Sequence, residues 1–426
     1  MPVVSATGSG VPTTEPCLDA ADAATVVREA FAPNPNRRVG VELEWLVVVA
    51  DEPTCPVPFD RLRAAVESVS PLPDGGVVTY EPGGQLELSS GPETLPRALG
   101  TLAHDAAVLH GALDAAGLAA VGLGLDPLRP RRRVVDSPRY AAMEAYFDDG
   151  GPAGRSMMCG TAAIQINLDT GAPDEIETRW NRVHGIGPLL LAAFANSPLV
   201  DGRPSGWRSS RWAVWDAIDP CRTAAVTHTP EDSPDAAGAW TRYALDARVM
   251  LINSGPEHAV PVLEPMSFAE WIRDGHELGW PTHADLTYHL STLFPPVRPR
   301  GRFELRMIDA LPDDCWPVAV AVATALVDDP IAAEVADAVA PGVFDRWSEA
   351  ARDGLHDAHL RTAARACFAA VVPALGRMGV SPATVRGVEE YAARYVEAGR
   401  TPADDRLDSW TRHGHVLAPE LVGTSS

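Results

Sequence analysis

Apolar residues recur at helical spacing over 18–31, 98–116, 175–195, 317–327, 356–375 and 384–398, so these stretches are predicted helices. The last three have alanine-rich faces, which read as helix-on-helix packing and not as a cofactor box. Between the helices lie short segments with a different period. Glu42 and Glu44 point one way while Val41, Leu43 and Trp45 point the other. Gln85, Glu87 and Ser89 alternate with Leu86 and Leu88. Gln165, Asn167 and Asp169 alternate with Ile164, Ile166 and Leu168. Glu304 and Arg306 alternate with Phe303, Leu305 and Met307. A strand with one face on helices and one face wet alternates in this way. The expected class is α+β: an antiparallel sheet flanked by helices, with a helical C-terminal part.

Any antiparallel sheet with one wet face shows polar alternation, so no single strand is diagnostic. The choice of polar residue is more telling, because the pairs are mostly carboxylate and amide. If the strands are neighbours, Glu42, Glu44, Glu87 and Glu304 converge on one surface. Carboxylates that close repel unless a cation lies among them. A hard cation with oxygen ligands, such as Mg²⁺, resolves the conflict. Arginines on the same face suit a phosphate or carboxylate ligand. The faces thus suggest a carboxylate-rich, Mg-dependent nucleotide site.

Composition narrows the chemistry. Acids outnumber bases 57 to 35, a formal charge of −22, which argues against broad nucleic-acid or anionic-membrane binding. All 35 bases are arginine. Without lysine there is no Walker A loop, no kinase-type strand lysine and no Schiff-base lysine. No apolar run approaches the ~20 residues of a membrane span, and no secretory leader is visible. Cys17, Cys55, Cys159, Cys221, Cys315 and Cys367 are scattered and never form CxxC, so they read as reduced thiols in a cytoplasmic protein. His413 and His415 have no matching ligand group beside them and do not read as a metal site. Residues 1–17 read as a flexible tail. Residues 18–426 read as one catalytic domain, with its sheet core over about 38–314 and its helical part over about 315–426.

Seven strings then occur in order: GVELEW, TYEPGGQLELSSGP, MMCGTAAIQINLD, FANSPL, WDAIDPCRT, RYALD and HLSTLFPPVRPRGRFELRMID. Together they resemble glutamate–cysteine ligase of the plant and proteobacterial type, above all its relatives in GC-rich bacteria that supply γ-glutamylcysteine for ergothioneine synthesis. The likeness runs from about Arg38 to about Asp314. GxExE alone is weak, but EPGGQLELS, QINLD and FELRMID in that order are specific. The resemblance implies a curved antiparallel sheet of the glutamine-synthetase and guanido-kinase type, with ATP, Mg²⁺ and L-glutamate on its concave face. It implies joining of the glutamate γ-carboxylate to the amine of L-cysteine through γ-glutamyl phosphate, with ADP and phosphate released. A monomer is compatible with it.

The resemblance also assigns residues. Glu42 and Glu44 match the metal ligands of GxExE, Glu81 and Glu87 the acids of EPGGQxE, and Glu304 the last metal ligand. Gln165 falls where other branches carry a metal-binding histidine, and its amide oxygen would substitute. Arg306 suits the transferring phosphate or the glutamate. Arg222 in CRT matches an arginine that clamps the glutamate α-carboxylate. Thr161 and Gln85 are the remaining expected substrate contacts, although Gln85 equally fits a turn cap and Glu81 fits a turn opener before Pro82-Gly83-Gly84. Trp207, Trp212 and Trp215, near Arg208 and Arg211, read as loop packing ahead of adenine stacking. Arg129, Arg131, Arg132 and Arg133 read as a solvated loop ahead of a phosphate site. One departure matters: Gly160 stands where the plant pattern has an arginine, which puts substrate contacts near Thr161 in doubt. Competing readings are a ligase for another amine, a catalytically dead subunit and a metal hydrolase that needs no ATP. Retention of Glu42, Glu44, Glu87 and Glu304 argues against the dead subunit.

Overall fold

The structure is a computed structural model and describes residues 17–227, 235–255 and 258–414. The expected tail, Cys17 apart, and His415 lie outside the described residues. Seven strands build the main sheet: β1 (Val39–Val49), β2 (Val77–Tyr80), β3 (Leu86–Ser89), β4 (Leu118–Val121), β5 (Ala163–Asp169), β6 (Val297–Pro299) and β7 (Arg302–Asp309). Their order is β6-β7-β5-β1-β3-β2, and β4 pairs with β1. Every pairing is antiparallel. The long β1 is shared: Val39–Trp45 lies between β5 and β3, and Leu46–Val49 takes β4.

The alternation seen in the sequence becomes two faces. Val41, Leu43, Trp45, Leu86, Leu88, Ile164, Ile166, Leu168, Phe303 and Leu305 are all buried in one apolar cluster that runs in sequence from Leu18 to Val396. That cluster includes Leu99, Leu102 and Leu109 of the helix Leu95–Ala115 and the buried stripe of Trp316–Asp328. Burying each such leucine contributes about 1.5–3 kcal/mol, so the apolar face fixes the register and leaves the carboxylate face turned away from those two helices.

Most expected helices are present, as Ala20–Arg28, Leu95–Ala115, Trp316–Asp328, Ala358–Arg377 and Pro382–Tyr391. The stretch 175–195 is two helices, Ile176–Gly185 and Gly187–Ala193. Pro188 has no N–H to continue the first ladder and suits the first turn of a second helix. Several helices were not foreseen, among them Pro138–Gly150 and Pro152–Gly160. Both open with proline at the first turn, and the first has almost no amphipathic stripe to reveal it. They form one wall of the cleft described below.

β7 departs from simple alternation. Glu304 pairs with Asn167 and Leu305 with Ile166, but Ile308 pairs with Ile164 and Asp309 with Ala163. One extra residue therefore sits in β7 between Leu305 and Ile308, a bulge. Facing partners in an antiparallel pair share a side of the sheet. Asp309 consequently shares the polar side with Glu304, although strict alternation would place it with the apolar residues.

Candidate active site

The polar face opens into a cleft of about 330 Å³. β1 supplies Glu42 and Glu44, β3 supplies Glu87, the β2–β3 turn supplies Glu81, β5 supplies Gln165, and β7 supplies Glu304 and Arg306. Register explains the convergence. Glu44 is directly opposite Glu87, and Glu42 is directly opposite Gln165. Glu81 opens the turn into β3: its carbonyl accepts from Gly84 N–H at 2.8 Å, and its own N–H donates to the Gln85 carbonyl at 2.9 Å. Gly84 has φ +85°, a backbone position that favours glycine.

Oxygen atoms of Glu44, Glu81 and Glu87 all lie within 4.8 Å of one another. The clustering is costly to charge. Burial, then Glu81 and Glu87, push the Glu44 carboxyl up to about 8. Burial, then Glu87, push Glu81 up to about 7. Burial, then Glu304 and Glu87, also raise Glu42. The three-acid cluster offers only carboxylate oxygens, the donor set of a hard divalent cation, so these residues fit Mg²⁺.

Glu304 and Gln165 do not join that cluster as expected. Glu304 accepts two hydrogen bonds from Arg298, at 2.6 and 3.0 Å, and one from Arg306 at 2.8 Å. Burial alone would raise its carboxyl, but Arg298 and Arg306 hold it well below the usual range. The Gln165 amide nitrogen donates to Glu44 at 2.7 Å, while its oxygen accepts from Arg306. That oxygen faces a guanidinium, so Gln165 bridges the acidic and basic halves of the cleft. Glu42 accepts from Asn167 at 3.1 Å.

Arg222 is the clearest correction. It lies outside the cleft-lining set and is fully buried. Its guanidinium donates to Asp219, the Thr292 carbonyl, the Tyr146 hydroxyl and the Arg248 carbonyl at 2.8–3.0 Å. With its donors committed, it is a strut that ties the helix Pro220–Thr223 to its neighbours. Gln85 and Thr161 line the cleft but bond to the protein. The Gln85 amide donates to the Met158 and Thr161 carbonyls at 3.2 and 2.9 Å, and the Thr161 hydroxyl donates to the Met157 carbonyl. They hold the turn at 82–85 against the end of Pro152–Gly160. At Gly160, a Cβ would meet the Arg131 side chain at 2.5 Å, so another arginine fills the space beside the glycine.

Other readings also change. Trp212 stacks on Trp347 away from the cleft, with ring centroids 4.8 Å apart. Trp215 lines the cleft, and the guanidiniums of Arg211 and Arg306 lie 5.0 and 5.8 Å from its ring centre. The arginine run is not simply solvated. Arg129 donates to Asp126 and to the Val47 carbonyl, and Arg133 pairs with Glu144. Arg129, Arg132 and Arg133 line a separate cavity of about 460 Å³.

Several cleft residues were missed. Arg139, Tyr140 and Met143 come from the unforeseen helix Pro138–Gly150. Arg298 and Arg300 lie within the string VRPRGRFELR, where arginines at every second position beside Glu304 were the available signal. Asp309, which lies behind the cleft on the polar side of the sheet, was missed because the bulge hides it. It is fully buried, accepts from Asn196 N–H and from the hydroxyls of Ser197 and Ser209, and lies 3.8 Å from Arg211.

The profile described as "Glutamate-cysteine ligase family 2 (GCS2)" matches residues 38–421. The chain belongs to glutamate–cysteine ligase family 2. The ligase is 42% identical over 423 residues to "Glutamate--cysteine ligase EgtA" of Mycolicibacterium smegmatis, covering 98% of this chain and 97% of that protein. It is 41% identical over 382 residues to "Glutamate--cysteine ligase EgtA" of Mycobacterium tuberculosis, covering 88% and 86%. Its fold is similar to that of a glutamate–cysteine ligase from Francisella tularensis solved in complex with AMP, with a TM-score of 0.50, 14% identity and coverage of 92% and 87%. A bifunctional glutathione synthetase from Pasteurella multocida gives a TM-score of 0.50 at 15% identity, covering 93% of this ligase and 53% of that chain.

Proposed function

We propose that this glutamate–cysteine ligase uses ATP to join the γ-carboxylate of L-glutamate to the amine of L-cysteine, passing through γ-glutamyl phosphate and supplying γ-glutamylcysteine for ergothioneine synthesis. The observation that carries the reading is the division of one cleft into three clustered acids, Glu44, Glu81 and Glu87, and a facing group of arginines, Arg139, Arg211, Arg298, Arg300 and Arg306. Acids suit a divalent cation, and arginines suit phosphate and carboxylate. We read the sheet as the glutamine-synthetase and guanido-kinase type, its polar face concave. No helix among the described residues is long and apolar enough to cross a membrane. A cytoplasmic monomer fits this reading.

In this mechanism Glu44, Glu81 and Glu87 would hold Mg²⁺, with Glu42 next to them. Bound there, Mg²⁺ would neutralise phosphate charge. The chain's own residues do the positioning. Arg306 shares the cleft side of β7 with Glu304 and is held by Gln165 and Glu304, with its Nε unpaired. It stabilises charge that builds on the transferring phosphoryl group. Arg211, anchored by Asp309, supports it by donating to the Arg306 carbonyl at 2.8 Å. Among the described residues no carboxylate lies within ion-pair distance of Arg139 or Arg300, so they are the cations best placed to take a substrate carboxylate. Met143, Met157, Met158, Trp215 and Phe294 give the cleft an apolar wall that limits water at an acyl phosphate.

The test is phosphate release from ATP in the presence of glutamate and a panel of amines. Cysteine should support release far better than the other amines, with γ-glutamylcysteine formed in equal amount. Equal release with another amine would move the ligase to a different acceptor, and product without ATP would overturn the reading.

A further inference from the structure

A further arginine-lined cavity lies away from the cleft, between the end of β7 and the last described helix, Pro402–His413. It has a volume of about 360 Å³ and is lined in part by Asp314, Cys315, Arg394, Arg406, Ser409 and Arg412. Arg406 is only 7% exposed, and its one hydrogen bond to described residues runs from Nε to the Asn196 side-chain oxygen at 3.3 Å. Neither terminal nitrogen has a hydrogen-bond partner among the described residues. Burial works against its charge, and the carboxylates of Asp405 and Asp314 offset this only from a distance, with no hydrogen bond to it. The nearby Asp405 is already taken by Arg394, Arg400 and the Tyr395 hydroxyl. Among the described residues Arg412 bonds only through Nε, to the Asp408 carbonyl at 3.2 Å. The Ser409 hydroxyl is buried without a partner.

We propose that this cavity is a second ligand site, which binds a small oxyanion, phosphate or carboxylate, between Arg406 and Arg412. An oxyanion accepts the unused N–H groups and supplies the directly bonded anion that Arg406 lacks. The site is connected to the cleft. Asn196, which holds Arg406, donates its backbone N–H to Asp309 at 2.8 Å, and Asp309 anchors Arg211 in the cleft. Occupancy is therefore placed to influence a cleft arginine through four consecutive contacting residues.

The test is thermal stability of the full chain titrated with inorganic phosphate or with succinate, against chloride at equal ionic strength and without nucleotide. The same titration in Arg306→Gln separates this site from phosphate binding in the cleft, so failure here and failure of the ligase reading are distinguishable. A saturable rise in Tm should persist in Arg306→Gln and should weaken about tenfold in apparent Kd in Arg412→Gln. Arg406→Gln should abolish it. Because that buried change can itself unfold the chain, Ser409→Asp provides a second arm: a carboxylate fixed in the wall should raise Tm and remove the response to added anion. A response to succinate alone would identify a carboxylate ligand, and one to phosphate alone a phosphate. No saturable response to either, or unchanged titrations in Arg412→Gln and Ser409→Asp, would overturn the site.

Discussion

Glu44 and Glu87 face each other directly across neighbouring antiparallel strands, with Glu81 close enough for all three to share one ion. Like charges in that position are destabilising. The apolar face of the same strands supplies the burial that keeps them together, so folding energy from one side of the sheet maintains a charged site on the other.

The acids should therefore trade stability against activity. Glu81→Gln and Glu87→Gln should each lower turnover by about 100-fold or more, as loss of a positioned charge-stabilising group does. The metal-free variants should be as stable as the parent or about 1 kcal/mol more stable, because repulsion is relieved. Steady-state rates and denaturant melts check both halves. Near-normal activity in Mg²⁺ would remove these residues from the site.

Stability should also depend on pH in a direction set by the same cluster. The folded protein holds protons on Glu44 and Glu81 more tightly than the unfolded chain does, up to about 8 and about 7. Their stabilising contribution is full below the ordinary carboxylate range and is lost as pH rises through those folded values. Metal-free Tm should fall between about pH 5 and pH 8, and Mg²⁺ should raise Tm more at the upper end, where binding releases fewer protons. An equal effect of Mg²⁺ at both ends would separate the ion from these acids.

Arg222 should behave as a structural residue. Arg222→Ala should cost about 3–5 kcal/mol, since it leaves Asp219 and several buried carbonyls without their partner. In whatever fraction folds, KM for glutamate should stay close to that of the parent. A stable variant with a large, selective rise in glutamate KM would restore the α-carboxylate role.

Phosphoryl transfer predicts where oxygen goes. With ¹⁸O in the glutamate γ-carboxylate, one label should appear in inorganic phosphate as product forms. Arg306→Lys should slow that transfer by about 100-fold, because an ammonium cannot reproduce a planar fork that also holds Gln165 and Glu304. Label in AMP would instead indicate adenylation and remove Arg306 from the transferring phosphate.

The sheet and its two faces were legible because period-two alternation is a direct record of strand burial, and Glu42, Glu44, Glu81, Glu87, Gln165, Glu304 and Arg306 do line one cleft. What each side chain bonds to was not legible. Arg222 and Arg306 look alike as single arginines beside acids, and only the packing around Asp219 and Tyr146 seals the first while β7 opens the second. The clamp that Arg298 places on Glu304 was not legible, because Arg298 lies on a strand of three residues that shows no alternation of its own. Arg139 and Tyr140 were hidden for the same kind of reason, on a helix without an apolar stripe.

The extra residue in β7 acts as a change of reading frame within a single strand. Before it, even-numbered residues take the polar side of the sheet; after it, an odd-numbered one, Asp309, does. Two parts of the same machine, the Glu304–Arg306 pair and the aspartate that anchors Arg211, are thus encoded in different frames of one continuous segment. Among relatives, a strand of ordinary length aligned across this segment without a gap would match Asp309 to a core position, and the anchor would vanish from the comparison while still present in the molecule.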